Sequence, residues 1–158
     1  MKDNNLPIIL DALDRKILTS LQQRGNISHA DLAVEVGASQ ASCWRRIRAL
    51  EEKGVLGPAV RLLDRERVGR GLDVLCQVRM KAHDRDARRK FEEFAQQHDN
   101  IMECFSMSGE WDYLVRLVVG SVKEYEEILM QEILAQDVAS SASHFSLKCV
   151  KYKTSIPL

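Results

Sequence analysis

The hydrophobic residues in the first third of the chain recur at helical spacing in three successive segments. The first covers residues 11–24, where the apolar stripe comprises Leu13, Ile17, Leu18 and Leu21. The second covers residues 28–37, with a serine and a glycine, favoured N-cap and C-cap residues, at its two ends. The third covers residues 39–54, and its apolar positions are Cys43, Ile47 and Leu50. The pattern predicts three helices, the last two joined by a tight turn.

Two helices joined in this way predict a helix-turn-helix, whose second helix lies in the major groove of DNA. The candidate DNA-contacting residues are Ser39, Gln40, Ala41, Ser42, Trp44, Arg45, Arg46 and Arg48. Gln40 suits adenine and Arg45 suits guanine, whereas the serines, Arg46 and Arg48 suit phosphates.

Simpler alternatives stand beside this interpretation. In these alternatives, Trp44 packs at a wing and does not contact DNA, and Arg48 pairs with Glu51 or Glu52 on its own helix. An ordinary helical hairpin with a solvated arginine face also has this pattern, so the remainder of the chain has to decide.

Residues 55–63 predict two short extended pieces with a Gly-Pro turn, either a wing beside the DNA or the start of a linker. The next ten residues are polar, with two glycines and three arginines, and mark a domain boundary. We therefore predict a DNA-binding domain over residues 1–60, an interdomain strand and hinge over residues 61–73, and a second domain over residues 74–158.

The hydrophobic period changes to two from Val74 onward, which is typical of strands. Strands are predicted at residues 74–81, 101–107, 111–119 and 142–152, helices at residues 84–98 and 121–134, and a turn at residues 108–110. The order strand, helix, strand, strand, helix, strand predicts a ferredoxin-like βαββαβ domain with both helices on one face of an antiparallel sheet. The fold class is therefore α+β, a winged helix-turn-helix domain joined to a ferredoxin-like domain.

The predicted strand at residues 111–119, WDYLVRLVV, is apolar on both of its faces. Such a strand is normally covered on both sides. Since the two helices cover one face, a second copy of the protein is the simplest cover for the other. The pattern predicts sheet-to-sheet dimerisation.

Composition narrows the function further. Lys plus Arg and Asp plus Glu are 23 each, so a local basic surface fits the chain better than a general nucleic-acid coat. Residues 1 to about 9 predict a loose end, since Pro7 hinders an early helix, and they lack the features of a secretory signal. No apolar run reaches the length of a membrane span, and the four scattered cysteines predict free thiols in a cytoplasmic protein. The spacing of residues predicts neither a metal site nor a catalytic triad.

The chain resembles the Lrp/AsnC family of leucine-responsive and asparagine-responsive regulators. The four segments that carry this resemblance are LDALDRKILTSL at 10–21, ISHADLAVEVGASQASCWRRIRALEEKGVL at 27–56, RLLDRERVGRGL at 61–72 and ECFSMSGEWDYLVR at 103–116. The ending KYKTSIPL at 151–158 and the Cys43-Trp44 pair resemble one bacterial subgroup of the family. The resemblance implies a RAM/AsnC-type second domain, binding to double-stranded promoter DNA, and control by a small effector, most often an amino acid, with no other cofactor. It also implies a homodimer that assembles further, commonly to an octamer.

The turn between the second and third strands is the candidate effector loop: Ser108, Gly109, Glu110, Asp112 and Tyr113. An acidic side chain suits the ammonium group of an amino acid, and backbone N–H groups suit its carboxylate. By resemblance, the effector site also includes Val122, His144, Phe145 and Ser146, at positions that line the family's pocket between dimers. Alternatively, Gly109 only makes the turn and Asp112 fixes it by hydrogen bonds to the backbone.

Two other functions compete with the regulator. Tetrapyrrole decarboxylases of the siroheme type resemble the same two-domain frame, but a basic recognition helix and the acidic Glu110 and Asp112 suit them poorly. The second competitor is a metabolite-binding assembly protein with a vestigial helix-turn-helix. The sequence therefore favours a DNA-binding regulator and not an enzyme.

Overall fold

The computed structural model describes residues 8–158, so most of the predicted loose end at residues 1–9 lies outside the described residues. The elements are α1 (Ala12–Gln23), α2 (His29–Val36), α3 (Gln40–Glu52), β1 (Leu72–Met80), α4 (Arg85–Gln97), β2 (Ile101–Ser106), β3 (Tyr113–Val119), α5 (Val122–Ile128), a π-helical turn (Leu129–Ile133) and β4 (Val138–Phe145). They form two compact units. One contains the described residues up to Leu62 together with Lys151–Leu158, and the other contains Leu63–Val150.

The three helices of the first unit begin and end at the residues that the sequence indicates. Ser28 caps α2 and Ser39 caps α3, each accepting a hydrogen bond from the backbone N–H three residues further on. Gly37 ends α2 with a φ of 72°, a left-handed conformation that glycine adopts without strain. The helices bury a common core formed by Ile17, Leu32, Ala33, Val36, Cys43 and Ile47.

The C-terminal tail, Lys151–Leu158, completes this unit. The side-chain amide of Gln22 donates to the carbonyl oxygen of Ile156 at 3.2 Å and accepts from its backbone N–H at 2.7 Å. An apolar cavity of about 790 Å³ lies between α1, the segment after α3 and the tail, with Leu18, Pro58 and Ile156 among its lining residues. The tail thus forms part of a wall of the helical unit.

The second unit is a four-stranded antiparallel sheet in the order β2-β3-β1-β4. This is the predicted ferredoxin-like arrangement, and β1 lies at its centre between β3 and β4. One face of the sheet packs against α4 and α5 through a core that includes Val78, Phe91, Val115 and Tyr125. The opposite face carries Leu75, Gln77 and Arg79 of β1 together with Leu114 and Arg116 of β3. We call this the open face.

The segment before β1 is anchored to the sheet unit. Arg65 Nη1 lies 2.7 Å from Asp73 Oδ2, and Arg70 is paired with Glu124. The carbonyl oxygen of Gly69 approaches Gly120 so closely that a Cβ at Gly120 would lie 2.7 Å from it. Only glycine at position 120 allows this approach, because real Cβ contacts are essentially never that short.

The segment between α3 and β1 pairs with no strand of the described residues, so the extended pieces at 55–63 and the interdomain strand from residue 61 stay predictions. The bounds predicted for the last strand are wrong. The last strand covers Val138–Phe145 instead of residues 142–152. Its position is determined by pairing with β1, where Ser141 lies opposite Val78 and Phe145 opposite Val74. The alternating residues from Lys148 to Tyr152 have no strand to pair with.

Candidate DNA-reading surface and effector site

The first turn of α3 is fixed by its own cap, which leaves the polar side chains behind it facing outward. Ser39 Oγ accepts a hydrogen bond from the backbone N–H of Ser42 at 3.2 Å. On the buried side of the helix, Cys43, Ile47 and Leu50 hold α3 in the core. Gln40 and Arg45 are consequently both exposed.

These side chains border a concave surface of about 670 Å³ that we call the reading groove. Its lining residues are His29, Ser39, Gln40, Ala41, Ser42, Trp44 and Arg45. The structure thus brings together six of the eight predicted DNA-contacting residues. It adds His29, the first residue of α2, which is not among the predicted DNA-contacting residues. Its place at the start of a helix next to the predicted reading helix was the available signal.

Trp44 and Arg48 form a pair at the surface of α3. The guanidinium of Arg48 lies 5.7 Å from the centroid of the indole ring, within the range of a cation–π interaction. Trp44 is 52% exposed, so the expected packing against a wing is not found. Arg48 also lies 3.8 Å from Glu51, the weak ion pair considered as an alternative to DNA contact.

Arg46 departs from the predicted set. Its side chain turns toward α1, where Nη1 lies 2.6 Å from Asp11 Oδ2 and 2.7 Å from Asp14 Oδ1. Helical periodicity places Arg46 beside Arg45 on the polar side of α3, but the two carboxylates of α1 hold it away from the reading groove. In the single chain Arg46 therefore forms an ion pair within the protein, and its phosphate contact stays a prediction.

The predicted effector loop is ordered by contacts of its acidic residues. Glu110 is paired with Arg79, whose guanidinium also lies 5.2 Å from the centroid of the Trp111 ring. Asp112 Oδ2 accepts from the backbone N–H of Met80 at 2.9 Å, and Oδ1 lies 3.2 Å from His83 Nδ1. Asp112 therefore fixes the loop to the end of β1, as in the alternative interpretation of this residue, and its role as an ammonium acceptor stays a prediction.

Tyr113 lies in the core of the sheet unit and not in an effector site. It is 1% exposed, and its ring centroid lies 4.6 Å from that of Phe91. Its hydroxyl donates to Glu92 at 2.9 Å. Burial and this acidic acceptor both raise the pKa of the Tyr113 hydroxyl, so it stays protonated at neutral pH.

The remaining predicted effector residues lie at two opposite ends of the sheet. The loop at residues 108–112 adjoins the Val78 end of β1, whereas Phe145 pairs with Val74 near the other end. Val122 follows β3 at that second end. Val78 and Val74 are four residues apart on β1, which corresponds to about 13 Å. In a single chain, Ser108, Gly109 and Glu110 therefore lie apart from Val122, His144, Phe145 and Ser146.

Residues 8–158 give little support to a reactive thiol, a metal site or a membrane-spanning helix. All four cysteines are free thiols, and burial raises the pKa of Cys104 to about 11, which keeps it unreactive. No group of three or more His, Cys, Asp and Glu side chains in this range has the arrangement of a metal site. None of the helices in the same range has both the length and the apolarity needed to span a bilayer.

Comparison with known protein families assigns both units. Residues 10–56 match the winged helix-turn-helix DNA-binding model, and residues 73–156 match the Lrp/AsnC ligand-binding domain model. The chain is 33% identical to the glutamate uptake regulatory protein of Zymomonas mobilis, over 94% of this chain and 91% of that protein. It is also 33% identical to the DNA-binding transcriptional activator DecR of Escherichia coli, over 95% and 99% of the two chains.

Solved structures agree with these matches. A transcriptional regulator from Neisseria meningitidis in complex with L-Met superposes with a TM-score of 0.89 and is 31% identical, covering 94% of this chain and 97% of that chain. An AsnC family regulator from Agrobacterium tumefaciens gives a TM-score of 0.89 at 36% identity, with the same coverage.

The chain belongs to the Lrp/AsnC family of transcriptional regulators. It is a DNA-binding regulator with a ligand-binding domain and not an enzyme. The predicted family, fold class and broad function are confirmed, and the decarboxylase alternative is rejected.

Proposed function

We propose that this regulator reads promoter DNA with the exposed side chains of α3 and responds to an amino acid bound between subunits. In this proposal residues 1–60 bind DNA, residues 61–73 form the hinge, and residues 74–158 bind the effector and assemble the chains, except that the tail at Lys151–Leu158 completes the helical unit. The reading groove carries the DNA part, because it gathers polar and basic side chains on one surface. Action on promoter DNA places the protein in the cytoplasm.

The roles within the groove follow from side-chain chemistry. Arg45 has the fork geometry for the O6 and N7 acceptors of guanine, and Gln40 matches the donor and acceptor edge of adenine. Ser39 and Ser42 face the phosphates, and Ala41 and Trp44 contact the apolar parts of the DNA surface. His29 borders the groove from α2, the helix that crosses the DNA backbone in a helix-turn-helix.

Arg45→Met tests this assignment. The variant keeps the length and helix propensity of the side chain but removes its charge and donors. We expect about tenfold weaker binding to a duplex enriched on the wild-type protein from a random-sequence pool, which corresponds to the loss of one bidentate base contact. We also expect weaker discrimination against a scrambled duplex. Fluorescence anisotropy titrations measure both quantities.

Arg67→Met is the matched control, because Arg67 is a solvent-exposed arginine of the segment before β1 and lies outside the groove. The control is expected to bind like the wild-type protein. Equal affinity and equal discrimination for Arg45→Met and the wild-type protein would contradict the assignment of α3.

The effector loop has the features of a carboxylate-binding turn. None of the backbone N–H groups of Ser108, Gly109, Glu110 and Trp111 donates a hydrogen bond to a group in residues 8–158. Gly109 adopts a φ of 118°, which orients this turn. Successive free N–H groups in a turn form an anion-binding concavity, so they suit the carboxylate of a free amino acid.

The rest of the site comes from a neighbouring subunit in this proposal. Since the loop and the group formed by Val122, His144, Phe145 and Ser146 lie toward opposite ends of the sheet in one chain, a neighbouring subunit brings them together in this proposal. The L-Met complex of the Neisseria relative supports an amino acid as the ligand class. An acidic residue in the loop, Glu110, supports recognition of the ammonium group once Arg79 is shared or released.

A thermal-shift screen of the twenty amino acids tests the effector proposal. A ligand that binds only the folded state at about 100 times its Kd adds about 2.7 kcal/mol of stability and raises the Tm. We expect such a shift for at least one amino acid and its loss in Gly109→Ala, because alanine is strained at this φ. Gly57→Ala is the control, since Gly57 has open space around it and no left-handed backbone. Twenty flat responses would reject an amino-acid effector.

The open face supports assembly of the chain into a homodimer. Leu75 and Phe105, 37% and 50% exposed, lie on this face with the half-buried Leu114. Arg116 in their midst is neutralised by Asp73 at 2.7 Å and Glu103 at 2.6 Å. Burial opposes the ionisation of Asp73, but hydrogen bonds from Arg65 and Arg116 outweigh it and lower its pKa. A paired charge among apolar residues is compatible with burial of the open face between two chains. We propose that the resulting dimers assemble to an octamer, as is common in the Lrp/AsnC family.

A further inference from the structure

The side chain of Arg46 is shared between the recognition helix and the first turn of α1. Its Nη1 atom lies within 2.7 Å of one oxygen of Asp11 and one oxygen of Asp14. The side chain is 29% exposed, whereas that of Arg48 on the same helix is 61% exposed. Arg46 Nε is buried without a hydrogen-bond partner in the described part of the chain. The guanidinium is thus committed to α1.

Both carboxylates also cap α1, so the ion pair and the cap are one structure. Asp11 Oδ1 accepts from the Asp14 N–H at 2.8 Å, and Asp14 Oδ2 accepts from the Asp11 N–H at 3.4 Å. The other oxygen of each carboxylate accepts from Arg46. The backbone N–H of Asp14, followed by the Arg46 guanidinium, lowers the pKa of Asp11, so this carboxylate is charged at neutral pH.

The local charge argues against contact with a phosphate. Two carboxylates and one guanidinium sum to about −1, which repels a DNA phosphate rather than attracting it. Nη1, which binds both acids, is not free for a phosphate while these partners hold it. Arg46 is therefore poorly suited to the phosphate role that its position in the sequence suggests.

Apolar packing alone does not fix the orientation of α3 relative to α1. Ile17 of α1 packs with Cys43 and Ile47 of α3, but apolar contacts are non-directional and allow small rotations of one helix on another. A bridging arginine fixes both the distance and the direction between α3 and the start of α1. The ion pair also determines the direction in which Arg45 points, because Arg45 adjoins Arg46 on the same helix turn.

We propose that Arg46 is a positioning residue that sets the rotation of α3 on α1, and so the aim of Gln40 and Arg45 at the base edges. This inference depends on the proposed reading role of α3. It differs from a phosphate contact, which would attract all duplexes equally, and from a purely stabilising ion pair, which would not affect the folded protein's choice of DNA.

Arg46→Met, Asp14→Asn and the double variant are compared with Arg45→Met on the enriched and the scrambled duplex over a series of salt concentrations. Positioning predicts that Arg46→Met loses about tenfold in affinity for the enriched duplex and little for the scrambled one, with an unchanged salt slope. Asp14→Asn is expected to act in the same direction. The double variant should lose less than the sum of the two single losses, because both remove one interaction.

The other outcomes overturn the inference. A salt slope reduced by about one, with equal losses on both duplexes and no effect of Asp14→Asn, identifies a phosphate contact. A lower Tm with unchanged discrimination, measured well below that Tm, identifies a purely stabilising role, and Arg46→Lys provides a second variant should Arg46→Met fail to fold. Arg45→Met separates the two proposals: if it too leaves discrimination unchanged, the reading role of α3 fails and not the positioning alone.

Discussion

Leu75→Glu is expected to convert the assembled protein to single chains and to weaken its binding to DNA by about 100-fold or more. Leu75 lies on the open face, opposite Arg116 of β3 and His144 of β4. Because Leu75 is 37% exposed, a glutamate is tolerated there in a single chain, but between two sheets it becomes a buried carboxylate. Linked reading units gain about 100- to 10,000-fold in avidity, and a single chain forfeits this gain. Light scattering measures the mass, and anisotropy measures the affinity.

Met130→Glu adds the same charge elsewhere in the sheet unit and is the control. Met130 is 62% exposed and lies in the π-helical turn, away from the open face. We expect wild-type mass and affinity for this variant. A Leu75→Glu protein that retains the wild-type mass would show that the open face does not join the chains.

Phe91→Ala is expected to destabilise the sheet unit by about 3–5 kcal/mol, the usual cost of removing a buried phenyl ring. Phe91 is fully buried on α4 and contacts the ring of Tyr113, with a second aromatic neighbour in Phe94. Its removal leaves a cavity under the centre of the sheet. Urea denaturation followed by circular dichroism measures the free energy of unfolding.

Phe105→Ala removes an equally large ring from the same unit and serves as the comparison. It is best measured in the Leu75→Glu background, where no second chain covers the open face. Because Phe105 is 50% exposed, a loss below about 1 kcal/mol is expected there. Similar losses for the two variants would show that the described core does not carry the stability of the unit.

Features with a local cause were predictable from the sequence. The caps at Ser28 and Ser39 and the left-handed Gly37 depend on a few neighbouring residues, and each lies where the pattern indicates. The order of strands and helices followed from the hydrophobic period, because one buried face is enough to reveal it.

The last strand depends on distant residues instead. Val138–Phe145 is rich in serine and alanine, which are not strong strand formers, and becomes a strand because β1 offers it an edge. The alternating residues that follow look more strand-like but pair with no strand within residues 8–158. Pairing between distant segments cannot be read from a local period.

The candidate sites divide in the same way. Alternation along β3 already placed Tyr113 on the same face as Val115, so its buried position was available from the pattern and conflicted with an effector role. The ion pair of Arg46 could not be predicted in this way. Helical spacing shows which side of α3 Arg46 occupies, but not that Asp11 and Asp14 lie next to that side. Asp112 likewise depends on the end of β1, thirty-two positions away.

The docking of residues 151–158 beside α1 affects the choice of end points for a recombinant fragment of the helical unit. A recombinant fragment that stops after Leu62 would lack the backbone partner of Gln22 and one wall of the cavity next to Leu18. Loss of the tail would expose leucines of the helical unit to solvent, and such exposed apolar surface favours aggregation. A head fragment for crystallisation or NMR is better built by rejoining the last eight residues through a short flexible linker.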